Sequence, residues 1–137
     1  MSAVFGGLLE KGGMERREFV RINISLPVRY KFLSPGAQKK SDEMFSGTTT
    51  NLSAGGMLLV GKIPSSDWLG DLLLQKVILG INVLLPESQE PLKMLARVRW
   101  VESLNAQNEC AMGLVFKEIK RSDQDKIVQL IIRSQMT

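Results

Sequence analysis

The sequence predicts a mainly β protein, a six-stranded antiparallel barrel carrying a C-terminal α-helix. Three observations lead there. Apolar and polar residues alternate along most of the chain at the period of a half-buried strand, the connections are short and rich in turn formers, and only the last segment has apolar residues at helical spacing. Closure into a barrel is the expected arrangement for such strands because it removes exposed edges. At 137 residues the chain suits one domain with a buried core. Residues 1–14, with glycines at 6, 7, 12 and 13, are expected to form a flexible arm, and residues 15–137 the domain.

The first strand is expected from Val20 to Phe32, long and bent, with Val20, Ile22, Ile24, Leu26, Val28, Tyr30 and Phe32 on one face. Pro27 falls on the outward set, which places it at an edge or a bulge, where its missing N–H does no harm. Ser34 to Asp42 is a polar loop. A second strand follows from Phe45 to Leu52, supported by the β-branched Thr48, Thr49 and Thr50. Asn51, Ser53, Gly55 and Gly56 supply turn chemistry, with the glycines expected at positive φ, and Met57 to Val60 returns as the partner strand. Ser65 to Asp71 has room for one short helical turn.

Alternation resumes from Val77 to Leu85 and, after a polar turn at Glu87 to Glu90, from Leu92 to Trp100. This spacing puts Trp100 on the inward set, with Lys93, Arg97 and Arg99 mostly opposite. Trp68, in a connection, is left without an assigned side. After a turn at Asn105 to Asn108, the last strand ends in Gly113-Leu114-Val115-Phe116. Ser122-Asp123-Gln124-Asp125 has capping-box spacing and opens a helix over 122–135, with Ile127, Val128, Leu130 and Ile131 at helical intervals.

Composition excludes several function classes. The chain has no histidine and one cysteine, so histidine-based catalysis, the usual zinc sites and an intrachain disulfide are all absent. No enzyme activity, metal or cofactor is expected. Cys110, within an apolar run, reads as a buried structural thiol, and Asp67 and Asp71 as capping or solvated residues. Met1 to Gly13 lacks a cationic start and no run reaches spanning length, so no membrane insertion and a cytoplasmic location are expected. The net charge of +4 favours an anionic partner, and the cations crowd between Lys11 and Arg21.

Two clusters carry chemistry. Glu15-Arg16-Arg17-Glu18-Phe19-Val20-Arg21 leads into the first strand, and Asn51-Leu52-Ser53-Ala54-Gly55-Gly56 forms the hairpin. A guanidinium pairs with phosphate oxygens, pairs with the O6/N7 edge of guanine and stacks on bases. The Asn51 amide and Ser53 hydroxyl offer directional hydrogen bonds, and Gly55 and Gly56 let backbone N–H groups approach a ligand.

Arg17 and Arg21 match the RxxxR element of PilZ domains, and Asn51, Ser53 and Gly56 match that family's [D/N]xSxxG element. The chain resembles the family from roughly Glu15 to Phe116, including Val98-Arg99-Trp100 and Gly113-Leu114-Val115-Phe116. The resemblance implies a PilZ-like barrel of the split-barrel type. It implies a receptor that binds the second messenger cyclic di-GMP through Arg16, Arg17, Arg21, Asn51, Ser53, Gly55 and Gly56, changes conformation and signals to an unidentified downstream protein partner. Because an arginine stands at Arg16, directly before RxxxR, it also implies two stacked ligand molecules per chain.

Two other readings compete. A basic barrel can bind single-stranded nucleic acid, but aromatic content is only 6% and the cations gather at one end, so no nucleic acid is expected. A ligand-free interaction module is disfavoured by the intact motif residues.

Overall fold

The computed structural model describes residues 21–34 and 41–136. The expectations for the arm 1–14 and for Arg16 and Arg17 lie outside the described residues. Among these residues seven strands form one antiparallel sheet: β1 (Arg21–Ile22), β2 (Leu26–Leu33), β3 (Phe45–Ser53), β4 (Gly56–Lys62), β5 (Ile78–Val83), β6 (Leu92–Ser103) and β7 (Glu109–Ile119). The order β3-β2-β5-β6-β7-β4, with β4 pairing back onto β3, closes six of them into a barrel. The short β1 extends β3 beyond the reach of β2. A 3-10 turn (Ser66–Trp68) runs into α1 (Leu69–Leu73), and α2 (Arg121–Gln135) ends the described chain.

The predicted alternation builds the core. Leu26, Val28, Tyr30 and Phe32 from β2 meet Leu79, Ile81 and Val83 from β5, Met94, Ala96 and Val98 from β6, and Ile127 from α2, all buried. Tyr30 stacks on Phe45 at 5.6 Å between ring centres, and Phe32 packs edge-on to Phe45 at 5.4 Å. Trp68 joins this cluster, 5.7 Å from Phe32 and only 5% exposed, so the short helical segment plugs one part of the core. The buried Tyr30 hydroxyl donates to the Lys62 carbonyl at 2.6 Å, which satisfies it, and burial pushes its pKa well above the usual range.

Outside the site, local expectations needed correction at three places. The long first strand is interrupted: Ile22 pairs with Leu52 and Leu26 with Thr49, so residues 23–25 stand opposite only Thr50 and Asn51, one residue more than the partner strand supplies. Pro27 lies inside the sheet rather than on an edge. Its carbonyl accepts from Leu84 N just past the end of β5, so its missing donor faces the side where that ladder stops. The capping box does not form either. Lys120 is the N-cap, with no side-chain cap bond, and Asp123 instead reaches across to accept from Lys93 N at 3.2 Å, tying α2 to the start of β6. Among the described residues no helix is long and apolar enough to cross a membrane.

Candidate functional site

Arg21, the described residue of the first cluster, meets the second because β1 pairs with the end of β3, setting Arg21 opposite Ser53. Irregularity in β3 helps to aim the side chains. Thr49 pairs with Leu59 of β4 but Asn51 pairs with Leu58, so Thr50 is an extra residue and the strand is bulged beside the site. Arg21 Nη1 donates to Asn51 Oδ1 at 3.1 Å, joining residues thirty positions apart, and Asn51 Nδ2 reaches Asn23 Oδ1 at 3.5 Å.

Asn51 and Ser53 belong to the strand, and the turn itself is Ala54-Gly55 between β3 and β4. Ser53 organises it. Its buried Oγ accepts from Gly55 N at 3.2 Å and Gly56 N at 3.1 Å, and donates to the Gly56 carbonyl at 3.3 Å. One donor and two acceptor positions are what a hydroxyl has, so in this arrangement Ser53 clamps the turn and occupies both glycine N–H groups. The turn is also held from outside, because Gly55 O accepts from Phe116 N at 2.9 Å and Ala54 O from Gln124 Nε2 at 3.0 Å.

Gly56 is not at the expected positive φ. Space explains it instead: a Cβ there would stand 2.2 Å from the Leu114 carbonyl oxygen on β7, the strand that β4 pairs with.

Beside Arg21 lies a pocket of about 350 Å³ lined by Arg21, Met57, Leu58, Arg99, Trp100, Gly113 and Leu114. Trp100 corrects the sequence reading, since it is 46% exposed rather than core. The cause is a second irregularity. Val98 pairs with Leu114 and Trp100 with Gly113, so Arg99 is inserted, the alternation reverses, and Val101 takes the place against the core. Gly113 is required beneath the ring, because a Cβ there would sit 2.1 Å from the indole nitrogen. Arg99 and Trp100 are visible as residues in the sequence, but their direction is not.

Among the described residues the lining offers two guanidinium groups and an exposed aromatic face and holds no acid, and the Asn51 amide bonds to Arg21 beside it, a set suited to a ligand that combines phosphate with planar bases. Among the described residues no cluster of three or more His, Cys, Asp or Glu could hold a metal. Cys110 is buried, and burial pushes its thiol pKa up, which suits a structural role.

Comparison with known proteins places this geometry in context. A family model described as PilZ domain matches residues 15–133. Among solved structures, the Bacillus subtilis inhibitor of motility MotI/DgrA is 26% identical with a TM-score of 0.64, over 90% of this chain and 53% of that one. The chain thus spans about half the length of that relative. The PilZ domain with c-di-GMP of YcgR from Escherichia coli aligns with a TM-score of 0.59 over 87% of this chain and 91% of that one. At 14% identity it supports the fold alone. The PilZ domain of CeSA from a cellulose-synthesizing bacterium behaves alike, at 18% identity and a TM-score of 0.54, over 85% of this chain and 98% of that one. No curated protein sequence matches the chain.

Proposed function

The chain belongs to the PilZ domain family, and from that premise we propose that it is a receptor for cyclic di-GMP that signals to a downstream protein. The observation that carries this reading is the Arg21–Asn51 hydrogen bond, which joins a residue of each motif beside a pocket lined by Arg21, Arg99 and Trp100. In this reading Arg21 and Arg99 take phosphate or the guanine edge, Trp100 supplies a stacking face and Asn51 directs Arg21. Ser53, Gly55 and Gly56 act by holding the turn, and Arg16 and Arg17 add charge from the segment ahead of Arg21. A receptor of this kind works in the cytoplasm and leaves its ligand intact.

Calorimetric titration of the chain with cyclic di-GMP, beside an unrelated single-stranded oligonucleotide, tests the proposal. Tight binding of the oligonucleotide and none of the cyclic dinucleotide would transfer the site to nucleic acid.

Two further outcomes follow from the same titration. Trp100→Ala should weaken cyclic di-GMP binding by about 1–3 kcal/mol, the range for one base stacked on an aromatic ring. Since Trp100 is exposed and Trp68 buried, thermal stability should stay near wild type; an unchanged affinity would remove Trp100 from the site.

The ligand count depends on Arg16. A stacked pair carries about twice the charge of one molecule and calls for an additional cation, so the wild-type chain should bind two nucleotides and Arg16→Leu one. A count that ignores the substitution would show that Arg16 does not set it.

A further inference from the structure

The barrel carries a second charged depression, on the outer face of β2, β5, β6 and β7. Pairing sets the outward residues in rows: Arg29, Asn82 and Lys93 in one, and Lys31, Gly80, Leu95 and Glu118 in the next. Gly80 has no side chain at the middle of its row, and its nearest side-chain neighbours are Leu33 at 3.4 Å and Leu95 at 3.9 Å from where a Cβ would be. The surface sinks there into a depression of about 880 Å³ whose charged rim, among the described residues, is Lys31, Lys93, Lys117 and Lys120 against the single acid Glu118. Exposed apolar groups lie beside it, Leu33 at 37% and Met44 at 52% exposure.

Among the described residues the cations here are not neutralised. Arg29, Lys31, Lys93, Arg97, Lys117 and Lys120 have no ion pair among the described residues. Arg97, on the same face of β6, keeps its Nε buried without any hydrogen-bond acceptor.

The geometry points to this face as a docking surface for an acidic protein segment that carries one or two apolar side chains. Closure of the barrel leaves β2, β5 and β6 no free edge, so a partner cannot add a strand here and must be recognised by side chains. Carboxylates answer the lysine rim, and a leucine or methionine fits the floor at Gly80 between Leu33 and Leu95. Nucleic acid fits less well, because the outward rows hold no aromatic ring on which a base could stack. The surface uses none of the residues assigned to the nucleotide pocket, so it stands or falls independently of that reading. It does share β6 with the pocket: Lys93 and Leu95 serve the surface, and Arg99 and Trp100 the pocket.

Fluorescence anisotropy on the full chain tests the surface with three labelled probes: a twelve-residue polyglutamate, the same peptide with two leucines three residues apart, and a twelve-nucleotide oligothymidylate. The leucine-bearing peptide should bind at least about fivefold more tightly than polyglutamate, as burial of apolar groups requires. Lys31→Glu with Lys93→Glu should weaken it by roughly tenfold or more, while the charge-matched pair Lys76→Glu with Lys126→Glu changes it less than about twofold. Gly80→Leu should abolish the advantage of leucine and leave polyglutamate binding unchanged. Equal losses in the two charge-reversed pairs would reduce the effect to general attraction by a basic protein and overturn the proposal. Tighter binding of the oligonucleotide, lost with Lys31 and Lys93, would overturn it in favour of nucleic acid.

Discussion

Arg21→Ala is expected to weaken cyclic di-GMP binding by about 3 kcal/mol, roughly 150-fold, through loss of a bidentate, charge-assisted contact. Arg21 is the described member of the RxxxR element, exposed at the head of β1 and lining the pocket. Its removal takes away a guanidinium and also frees Asn51, whose carboxamide oxygen it holds at 3.1 Å. Folding should be little affected, because an exposed side-chain hydrogen bond contributes a small fraction of domain stability. Calorimetry and thermal melting on the same sample separate the two effects. Wild-type affinity, or a melt lowered as far as the affinity, would contradict the assignment of Arg21 to the ligand.

Gly56→Val is expected to destabilise the fold by about 3 kcal/mol, a drop of roughly 10 °C in melting temperature, and to lose ligand binding as well. Its Cβ would enter the space of the Leu114 carbonyl, and the strand cannot move aside freely because Gly56 pairs with Val115 and its N–H is held by Ser53. The cause is crowding by backbone, not a forbidden dihedral, so Gly56→Ala should already show much of the loss. Gly70→Ala is the control with the opposite sign. Gly70 lies in α1 with nothing within 4 Å of where a Cβ would stand, so alanine there should stabilise by up to about 1 kcal/mol. Thermal melts of these variants decide the matter; a Gly56→Ala protein as stable as wild type would mean that β4 and β7 are not packed this closely.

Much of the fold is legible in the sequence because inward and outward sides alternate wherever a strand is regular. Spacing alone assigns Tyr30, Phe32, Leu79, Ile81, Met94 and Val98 to the core, and all are buried. The reading fails where one inserted residue shifts the alternation. Regular spacing from Val98 puts Trp100 inward, and the extra residue Arg99 turns it out into the pocket. The break at residues 23–25 and the bulge at Thr50 are likewise set by long-range pairing, which a local pattern does not encode. The same limit applies to the site. Its motif residues are readable as types, but the clamp formed by Ser53, the crowding at Gly56 and the contribution of Arg99 and Trp100 depend on strand pairing and close approach in the folded chain. Asp123 shows the converse: capping-box spacing is present, and a tertiary contact with Lys93 takes the side chain elsewhere.

The hairpin tip at Ala54-Gly55 has a consequence for engineering. Hairpin tips are ordinarily good places to insert an epitope or a fluorescent tag, since their backbone groups face water. This tip is stitched to β7 through Phe116 N and to α2 through Gln124, so an insertion would sever both ties and unseat the helix along with the turn. The exposed start of the turn between β6 and β7, up to Gln107, is the safer graft point: Asn105 bonds to Gln107 N and Glu109 and Ser103 to the Asn105 carbonyl, and the tie to another element lies beyond it, at the Asn108 carbonyl that accepts from Ile63 N. A label placed there keeps the nucleotide pocket and both helices intact.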